Sequence, residues 1–535
     1  MSKLLPTFPH VLRVGLLPAI ALLPVALAPS AAQAQVEAEV EYVVGQALPP
    51  TAQGQELLPM TLDAAIARAL ENNLDIQGVR LEPLMQEYSV RVAHAAFNPT
   101  LNSTLGYNNQ TNQSTSQLDG GARTTNESNT LNFSVNQPLR WYGAGLSANF
   151  NNNRTSTNNT FATRNPSYRS SLSLNYSQPL LSGLRIDNQR NQLRVQEVQS
   201  EITDIQLRAE VDNIIDQVRV SYWNLRALIE QIEIQRLSLA QSERLLEQNR
   251  VQVQAGTMVE MELAQAEAQV ASAEQALLNA EIQWRSQELN FKRLLVGGMD
   301  DPLFAYAINP TDTPVYELQE VDIEAALATA LEQRPELLQQ QRQRRISEMN
   351  LEVTEENARP DLNLSASYSV QGVGGNQFDR PELGGDPILV DRGGYADGLS
   401  SIASRDAPAF SLSLNFSYPL GTRASELNLE QARLQMRQSD LQMRSQELQI
   451  RTEVTNAGMA VTNAFLQLQA AQRTREAAER SAEAELTRFE VGASTNFQVV
   501  QAQNTLTSAR LQELQAIINY VDAIAEFDRV QGYGY

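Results

Sequence analysis

Ser171–Leu180 reads SLSLNYSQPL, and Ser411–Leu420 reads SLSLNFSYPL. In the first, Leu172, Leu174 and Tyr176 alternate with Ser171, Ser173, Asn175 and Ser177; in the second, Leu412, Leu414 and Phe416 alternate with Ser411, Ser413, Asn415 and Ser417. A period of two describes a β-strand, and about ten residues with one apolar and one small polar face is the pattern of an outer-membrane strand. A strand on a soluble core alternates in the same way, so the surroundings must decide. Leu101–Tyr107 and Leu362–Tyr368 alternate more loosely, and the Asn/Ser/Thr/Gly-rich stretches 108–128 and 371–407 read as long loops. Leu131–Pro138 and Gly145–Asn152 form a further candidate hairpin, confined to the first half. The total is four to six strands. A membrane barrel needs at least about eight, and an open edge cannot face lipid. One chain therefore cannot close a barrel, and several must share it.

Working outward, the two strand segments belong to a duplication. Leu62–Glu71 (LDAAIARALE) recurs as Ile323–Glu332 (IEAALATALE), and Pro99-Thr100-Leu101-Asn102 recurs as Pro360-Asp361-Leu362-Asn363. Gly256 and Gly492 each sit at a break before similar helices, with Gln265-Ala266 matching Gln501-Ala502. Four signals in the same order mean a repeated unit. Each unit reads as a short helix, a medium helix, strands, a very long helix and a long helix.

The helices are rods. From about Arg185 to Gln254 there is no Pro or Gly, and Val211, Val218, Leu225, Ile232, Leu239, Leu246 and Val253 recur every seven residues. After Gly256 come Leu263, Val270, Leu277, Trp284 and Phe291 at the same spacing, with Ala266, Ala273 and Ala280 between them; Ala502, Ala509 and Ala516 repeat those alanines. Such a repeat supercoils left-handedly, and small seam residues let helix axes approach. Seventy residues give roughly 105 Å, the helix at 258–296 roughly 58 Å and the medium helix at 75–97 roughly 35 Å. The two shorter pieces end to end nearly match the long one, so each unit can build one continuous and one spliced strut.

Composition narrows the function. The chain has 535 residues, 41 Lys+Arg against 62 Asp+Glu, no Cys and two His. The absence of Cys removes disulfides, thiolate metal sites and a lipidated N-terminal Cys. A formal charge of −21 argues against nucleic-acid binding, which needs a basic footprint. Lys3 and Arg13, the apolar run Val14–Ala28 and the small residues Ala32-Gln33-Ala34 form a secretory signal peptide with Gln35 as first mature residue. The expected organisation is a signal peptide over 1–34, a linker over 35–59, a first repeat over 60–300, a linker over 301–321, a second repeat over 322–530 and a tail over 531–535. The first repeat holds strands at about 100–180 and a tip near 256; the second holds strands at about 361–420 and a tip near 492.

Exported, duplicated, heptad-bearing rods inserted between paired strands resemble the TolC-like outer-membrane efflux family. The likeness is carried by LDAAIARALENN with DIEAALATALEQRPEL, by SLSLNYSQPLLSG at a strand-to-helix junction, and by the tips Ala255–Thr257 and Val491–Ala493. The resemblance implies a mainly α protein with membrane β: a homotrimer whose helical coiled-coil tunnel continues into a shared transmembrane β-barrel of twelve strands. It implies an exit duct in the outer membrane, with the tunnel projecting into the periplasm. The duct would serve tripartite efflux or type I secretion together with a periplasmic adaptor and an inner-membrane pump of RND or ABC type. It calls for no cofactor, metal or catalytic group. The extra hairpin departs from two strands per half, and either widens the barrel or lies outside it.

The resemblance also assigns residues. Glu262, Gln498 and Gln501 match the family's acidic constriction; Glu262 alone keeps a carboxylate, and three copies would ring the axis and favour cations. Ser494 stands where the family often has a gating Arg. Gly256, Thr257, Gly492 and Ala493 match the tips that dock the adaptor. Apart from the resemblance, Trp141, Tyr142 and Tyr418, near strand ends, suit either headgroup level or ordinary barrel packing. Two other readings fit parts of the sequence. A soluble periplasmic coiled-coil adaptor would lack the strand pairs, and a secreted carboxylate-dependent hydrolase would need a compact pocket.

Overall fold

The computed structural model describes residues 45–51, 55–115, 121–314, 317–381, 385–421 and 423–532. The expected signal peptide lies outside these residues. In chain order the first unit contains β1 (Leu57–Met60), α1 (Leu62–Asn72), α2 (Leu74–Val79), α3 (Leu81–Ala95), β2 (Thr100–Gln113), β3 (Arg123–Pro138), β4 (Gly145–Thr157), β5 (Arg164–Pro179), α4 (Asn188–Gln254) and α5 (Glu260–Leu295). A 3-10 turn (Pro302–Ala305) leads to β6 (Ala307–Pro310), α6 (Ile323–Gln333), α7 (Pro335–Asn357), β7 (Asp361–Asp379), β8 (Ile388–Asp391), α8 (Tyr395–Ser404), β9 (Pro408–Ser417), α9 (Ala424–Glu490) and α10 (Asn496–Gln531).

Both units open the same way for the same reason. Thr61 Oγ1 accepts the Ala64 N–H at 3.2 Å to cap α1, and Asp322 Oδ1 accepts the Glu324 and Ala325 N–H groups at 3.1 Å to cap α6. The medium helix of the first unit is two helices, α2 and α3, which meet at Arg80. The long helices α4 and α9 have 67 residues each, about 100 Å at 1.5 Å per residue. The spliced struts are present: α3 packs on one stretch of α4 and α5 on another, while α7 and α10 do the same for α9.

Burial along the rods follows the seven-residue repeat in their middle. Val218, Leu225 and Ile232 are fully buried, as are Val454, Val461 and Leu468. On α5 the seam is carried by Ala266, Ala273 and Ala280, whereas Leu263, Val270 and Leu277 between them are half-buried. Small side chains, which let two helix axes come close, occupy the tightest contacts.

Parts of the segments expected as linkers join this core, among them Ala47, Leu303 and Ile308. β1 pairs in parallel with β6 from Leu57↔Ala307 to Met60↔Pro310. Two buried ion pairs on the rods hold them. Lys292 Nζ lies 3.0 Å from Glu288 Oε1 and donates to the Tyr306 carbonyl at 2.6 Å, and the Ile308 N–H donates to Glu288 at 3.0 Å. Arg226 donates to Glu230 at 2.7 Å and to the Pro310 carbonyl at 2.9 Å, and the Gly45 N–H donates to Glu230 at 2.8 Å. Their charges are buried but every partner is a backbone or side-chain group of opposite need. These bonds hold the described residues around Gly45 and Tyr306–Pro310 against the rods as a belt.

The remaining strands form one antiparallel sheet in the order β2-β3-β4-β5-β7, with both β9 and β8 pairing along β7. Two stretches expected as loops are partly strand: β2 and β3 pair from Thr100↔Asn136 out to Gln113↔Arg123, and β7 runs 19 residues to Asp379. Their Asn, Ser and Thr residues continue the ladder because small polar side chains suit a solvated strand face. The rest of 371–407 holds β8 and α8, which lies across β7. A methyl group at Gly372 or Gly374 would collide with the carbonyl oxygens of Gly398 and Gly394, so glycine is what lets α8 approach.

Candidate functional site

The sheet has two chemically opposite faces. Antiparallel partners share a face, which groups Phe133, Phe150, Leu172, Val370 and then, along β7 and β9, Tyr368 with Phe410 and Leu364 with Leu414. The other face carries Ser134, Asn149, Ser173, Ser369 and, further along, Ser365 with Ser413. Along β9 the apolar face is uncovered, Phe410, Leu412, Leu414 and Phe416 being each 60–70% exposed, whereas Val370, next to the glycines on which α8 packs, is buried. It ends at Asn152 and Ser170, joined by a 2.6 Å hydrogen bond, where Tyr395 of α8 reaches Asn152 at 3.0 Å. Among the described residues no helix is long and apolar enough to cross a membrane.

The helix-side end of the sheet meets the rods. Trp141 and Tyr142 sit exposed in the β3–β4 turn, and Tyr418 follows β9 with the Arg423 guanidinium 4.7 Å from its ring centre. Packing gives the helix columns the order α3-α4-α7-α9, the same order as the strands β2, β5, β7 and β9 that continue them. Asn191 to Asn350 at 2.8 Å and Arg194 to Glu352 at 2.9 Å join the two units here.

At the far end of the rods are two matched tips. Gly256 and Gly492 have φ of +76° and +74°. The Gly256 N–H donates to the Val253 carbonyl at 3.0 Å and the Thr257 N–H to Gln252 at 3.0 Å; Gly492 donates to Phe489 at 2.9 Å and Ala493 to Arg488 at 2.8 Å. Both are Schellman caps, which need a left-handed residue after the helix. All four tip residues singled out in the sequence are exposed. Asn249 donates to Asn496 at 2.9 Å with both buried, and Met258 packs in a cluster with Leu245, Phe489, Val499 and Val500. The tips are thereby bound to each other.

The constriction residues occupy different settings. Glu262 lies half-buried in the first turn of α5, whose preceding residue Val259 makes no side-chain cap. Gln498 and Gln501 are exposed on the opening turns of α10. Gln498 is folded back in a capping box: its Oε1 accepts from the Thr495 N–H at 3.3 Å and from Ser494 Oγ at 2.9 Å. Ser494 also bonds Glu485. That capping role follows from the T-x-x-Q spacing, Thr495 to Gln498, which the sequence reading passed over.

Acidic groups gather instead where α4 meets α10. Burial pushes the carboxyls of Asp212, Asp216, Asp522 and Asp528 above their usual range, with Arg219 partly opposing the shift at Asp216 and Asp528. A cavity of about 240 Å³ lies beside them, lined in part by Asp212, Asp216, Arg334, Glu336 and Arg529. Among the described residues no cluster of three or more His, Asp or Glu is placed to hold a metal ion.

The family model described as outer membrane efflux protein matches residues 143–297 and 326–532. The match opens inside the β3–β4 turn, so the likeness read over 60–142 is not carried by it. No curated protein matches the chain. Among solved structures, the outer-membrane channel OprN is 17% identical with a TM-score of 0.63, covering 88% of this chain and 90% of that one. CusC is 16% identical with a TM-score of 0.64 over 91% and 95% of the two chains. The CmeC outer membrane channel of Campylobacter jejuni is 16% identical with a TM-score of 0.62 over 89% and 86%. At these identities the likeness is one of fold: a helical tunnel element joined to a β domain.

Proposed function

We propose, from the premise that this chain belongs to the outer membrane efflux protein family, that it is the exit duct of a tripartite efflux or type I secretion system. The family is one of outer-membrane channels with a periplasmic helical tunnel, and we assign the chain no catalytic role. One observation carries the reading: an uncovered apolar sheet face with a Ser/Asn face behind it stands in register on four helix columns. Apolar residues outward and polar residues inward make a water-filled barrel wall in lipid. Its two edge strands cannot remain open there, so three copies close the wall and the tunnel.

In that trimer Glu262 contributes three carboxylates to a ring that favours cations. Gln498 and Gln501 add a polar but uncharged rim, with Gln498 held against its own tip. Gly256, Thr257, Gly492 and Ala493 form the exposed surface that an adaptor's helical hairpins would meet, beneath an RND or ABC pump. The test is fractionation followed by planar-bilayer recording. A detergent-extracted trimer that conducts, more strongly once Thr495→Ala loosens the second tip, supports the duct. Recovery from the soluble periplasm without detergent overturns it in favour of a soluble adaptor.

A further inference from the structure

We propose that three copies close a barrel of eighteen strands rather than twelve, making the outlet in the membrane as wide as the helical tunnel behind it. This rests on the three-copy reading above. It turns on β3 and β4, which are wall and not appendage.

Three observations put them in the wall. The hydrogen-bonded register is unbroken from β2 to β3 (Thr100↔Asn136 to Gln113↔Arg123), from β3 to β4 (Asn126↔Thr157 to Pro138↔Gly145) and from β4 to β5 (Gly145↔Ser177 to Thr155↔Ser167). The two faces also continue through the hairpin, with Leu131, Phe133 and Val135 on one and Asn132, Ser134 and Asn136 on the other. Finally, the helix-side end of the hairpin meets the columns: Gln137 at the end of β3 donates to the Phe97 carbonyl just past α3 at 2.6 Å, Arg140 meets His94 Nδ1 of α3 at 3.0 Å, and Gly143 sits close against Asp187 and Arg190 at the start of α4, while Gln178 of β5 donates to the Tyr142 carbonyl at 2.8 Å. The hairpin thus reaches the rods as the other strands do.

The edges say how copies join. β2 and β9 bound the long-strand sheet and run in opposite directions, so β2 of one copy meets β9 of the next as an antiparallel pair. Beneath these edges stand the outer columns α3 and α9, each with an exposed apolar stripe: Leu84, Tyr88 and Val92 on one, Leu427, Leu434, Leu441 and Leu448 on the other. A second copy covers stripe and edge together.

Six long strands from each of three copies make eighteen, above four helix columns from each, which make twelve. Strands 4.8 Å apart and tilted about 40° give eighteen of them a circumference of roughly 113 Å and a diameter of about 36 Å, against about 24 Å for twelve. Twelve helices at 8–10 Å spacing enclose roughly 96–120 Å, or about 31–38 Å across. The hairpin therefore lets barrel and tunnel join at equal girth with an ordinary strand tilt.

Because the chain has no Cys, each introduced thiol is a single probe. Nitroxide labels on Ser134→Cys (β3) and Ser411→Cys (β9) would be measured by dipolar EPR on the detergent-extracted oligomer. Native mass spectrometry counts the copies. Equivalent sites around eighteen strands lie about 31 Å apart, and around twelve about 21 Å. Three copies at the longer distance, with a label on Phe133→Cys shielded from a water-soluble quencher that reaches Ser134→Cys, is the expected result. Three copies at the shorter distance, or equal quenching at both hairpin positions, overturns the eighteen-strand wall while leaving the trimer. A copy number other than three overturns the reading beneath it. Ser411→Cys lies outside the hairpin and reports the same girth if the hairpin variants fail to assemble.

Discussion

The two halves share their rods and tips but fill the space between their paired strands differently. In the first half β3 and β4 separate β2 from β5, continuing both faces of the sheet. In the second half β7 and β9 pair directly, and what lies between them in sequence is the short β8 and the helix α8 lying on the sheet. The reason is local chemistry. The first insert keeps a period of two through Leu131–Asn136 and Leu146–Asn151, so its backbone groups find partners only as strands. The second is broken by Pro381, Pro387, Gly393 and Gly394, and Gly372 and Gly374 clear a bed for the helix. One insert enlarges the wall; the other decorates it.

Removing the first insert should have the largest effect. Excision of 123–157 leaves β2 and β5 antiparallel and able to pair, so the trimer should persist with twelve strands. The Ser411→Cys label distance should then fall by about a third. Excision of 380–407 should leave it unchanged, and equal responses to both excisions would erase the contrast between the halves. Next is Gly372→Leu, where overpacking costs about 1–3 kcal/mol. Proteolysis within 392–407 should rise sharply, whereas oligomer mass and label distances should not change.

The tips allow a finer contrast. The second is held by the Thr495–Gln498 capping box and the first by none. Thr495→Ala should cost about 1 kcal/mol, and Val259→Thr should return a similar amount to the first tip. Hydrogen exchange at the opening turns of α10 and α5 would read both, and an unresponsive first tip would mean its looseness has another cause. The smallest effect concerns pH. Burial raises the folded-state pKa of Asp522, so ionisation opposes folding. Stability from this group is greatest below the unfolded value near 3.9 and declines as pH rises through the raised one. Asp522→Asn should raise the melting temperature at pH 7 and make no difference at pH 3.

Much of this was legible because repetition is a long-range signal. Rods, tips and the opening helices each appear twice, so an accidental pattern in one half is checked by the other. The hairpin was legible as strands but not as wall, since alternation says nothing of neighbours. A clue did exist: matched residues lie 261 apart at Leu62 and Ile323 but 240 apart at Ser171 and Ser411, which locates added chain between the first unit's outer strands. The belt around Gly45, Leu57–Met60 and Tyr306–Pro310 was illegible because its partners are single buried charges on distant rods. The capping role of Gln498 was legible in its spacing from Thr495.

The buried pair Lys292 and Glu288 has a consequence beyond holding that belt. Lys3 and Lys292 are the only lysines in the sequence, and Lys292 is 2% exposed with its ammonium engaged. Over its described residues the folded chain therefore offers solvent no side-chain primary amine, and with no Cys it offers no thiol. Aldehyde fixatives and amine-directed conjugates, which capture most assemblies, have nothing to grip on its wall or its tips. Guanidinium, carboxylate and phenol groups, such as those of Tyr88 and Tyr142, make up its reactive exterior, and a covalent record of its partners is written with them or with a thiol placed by design.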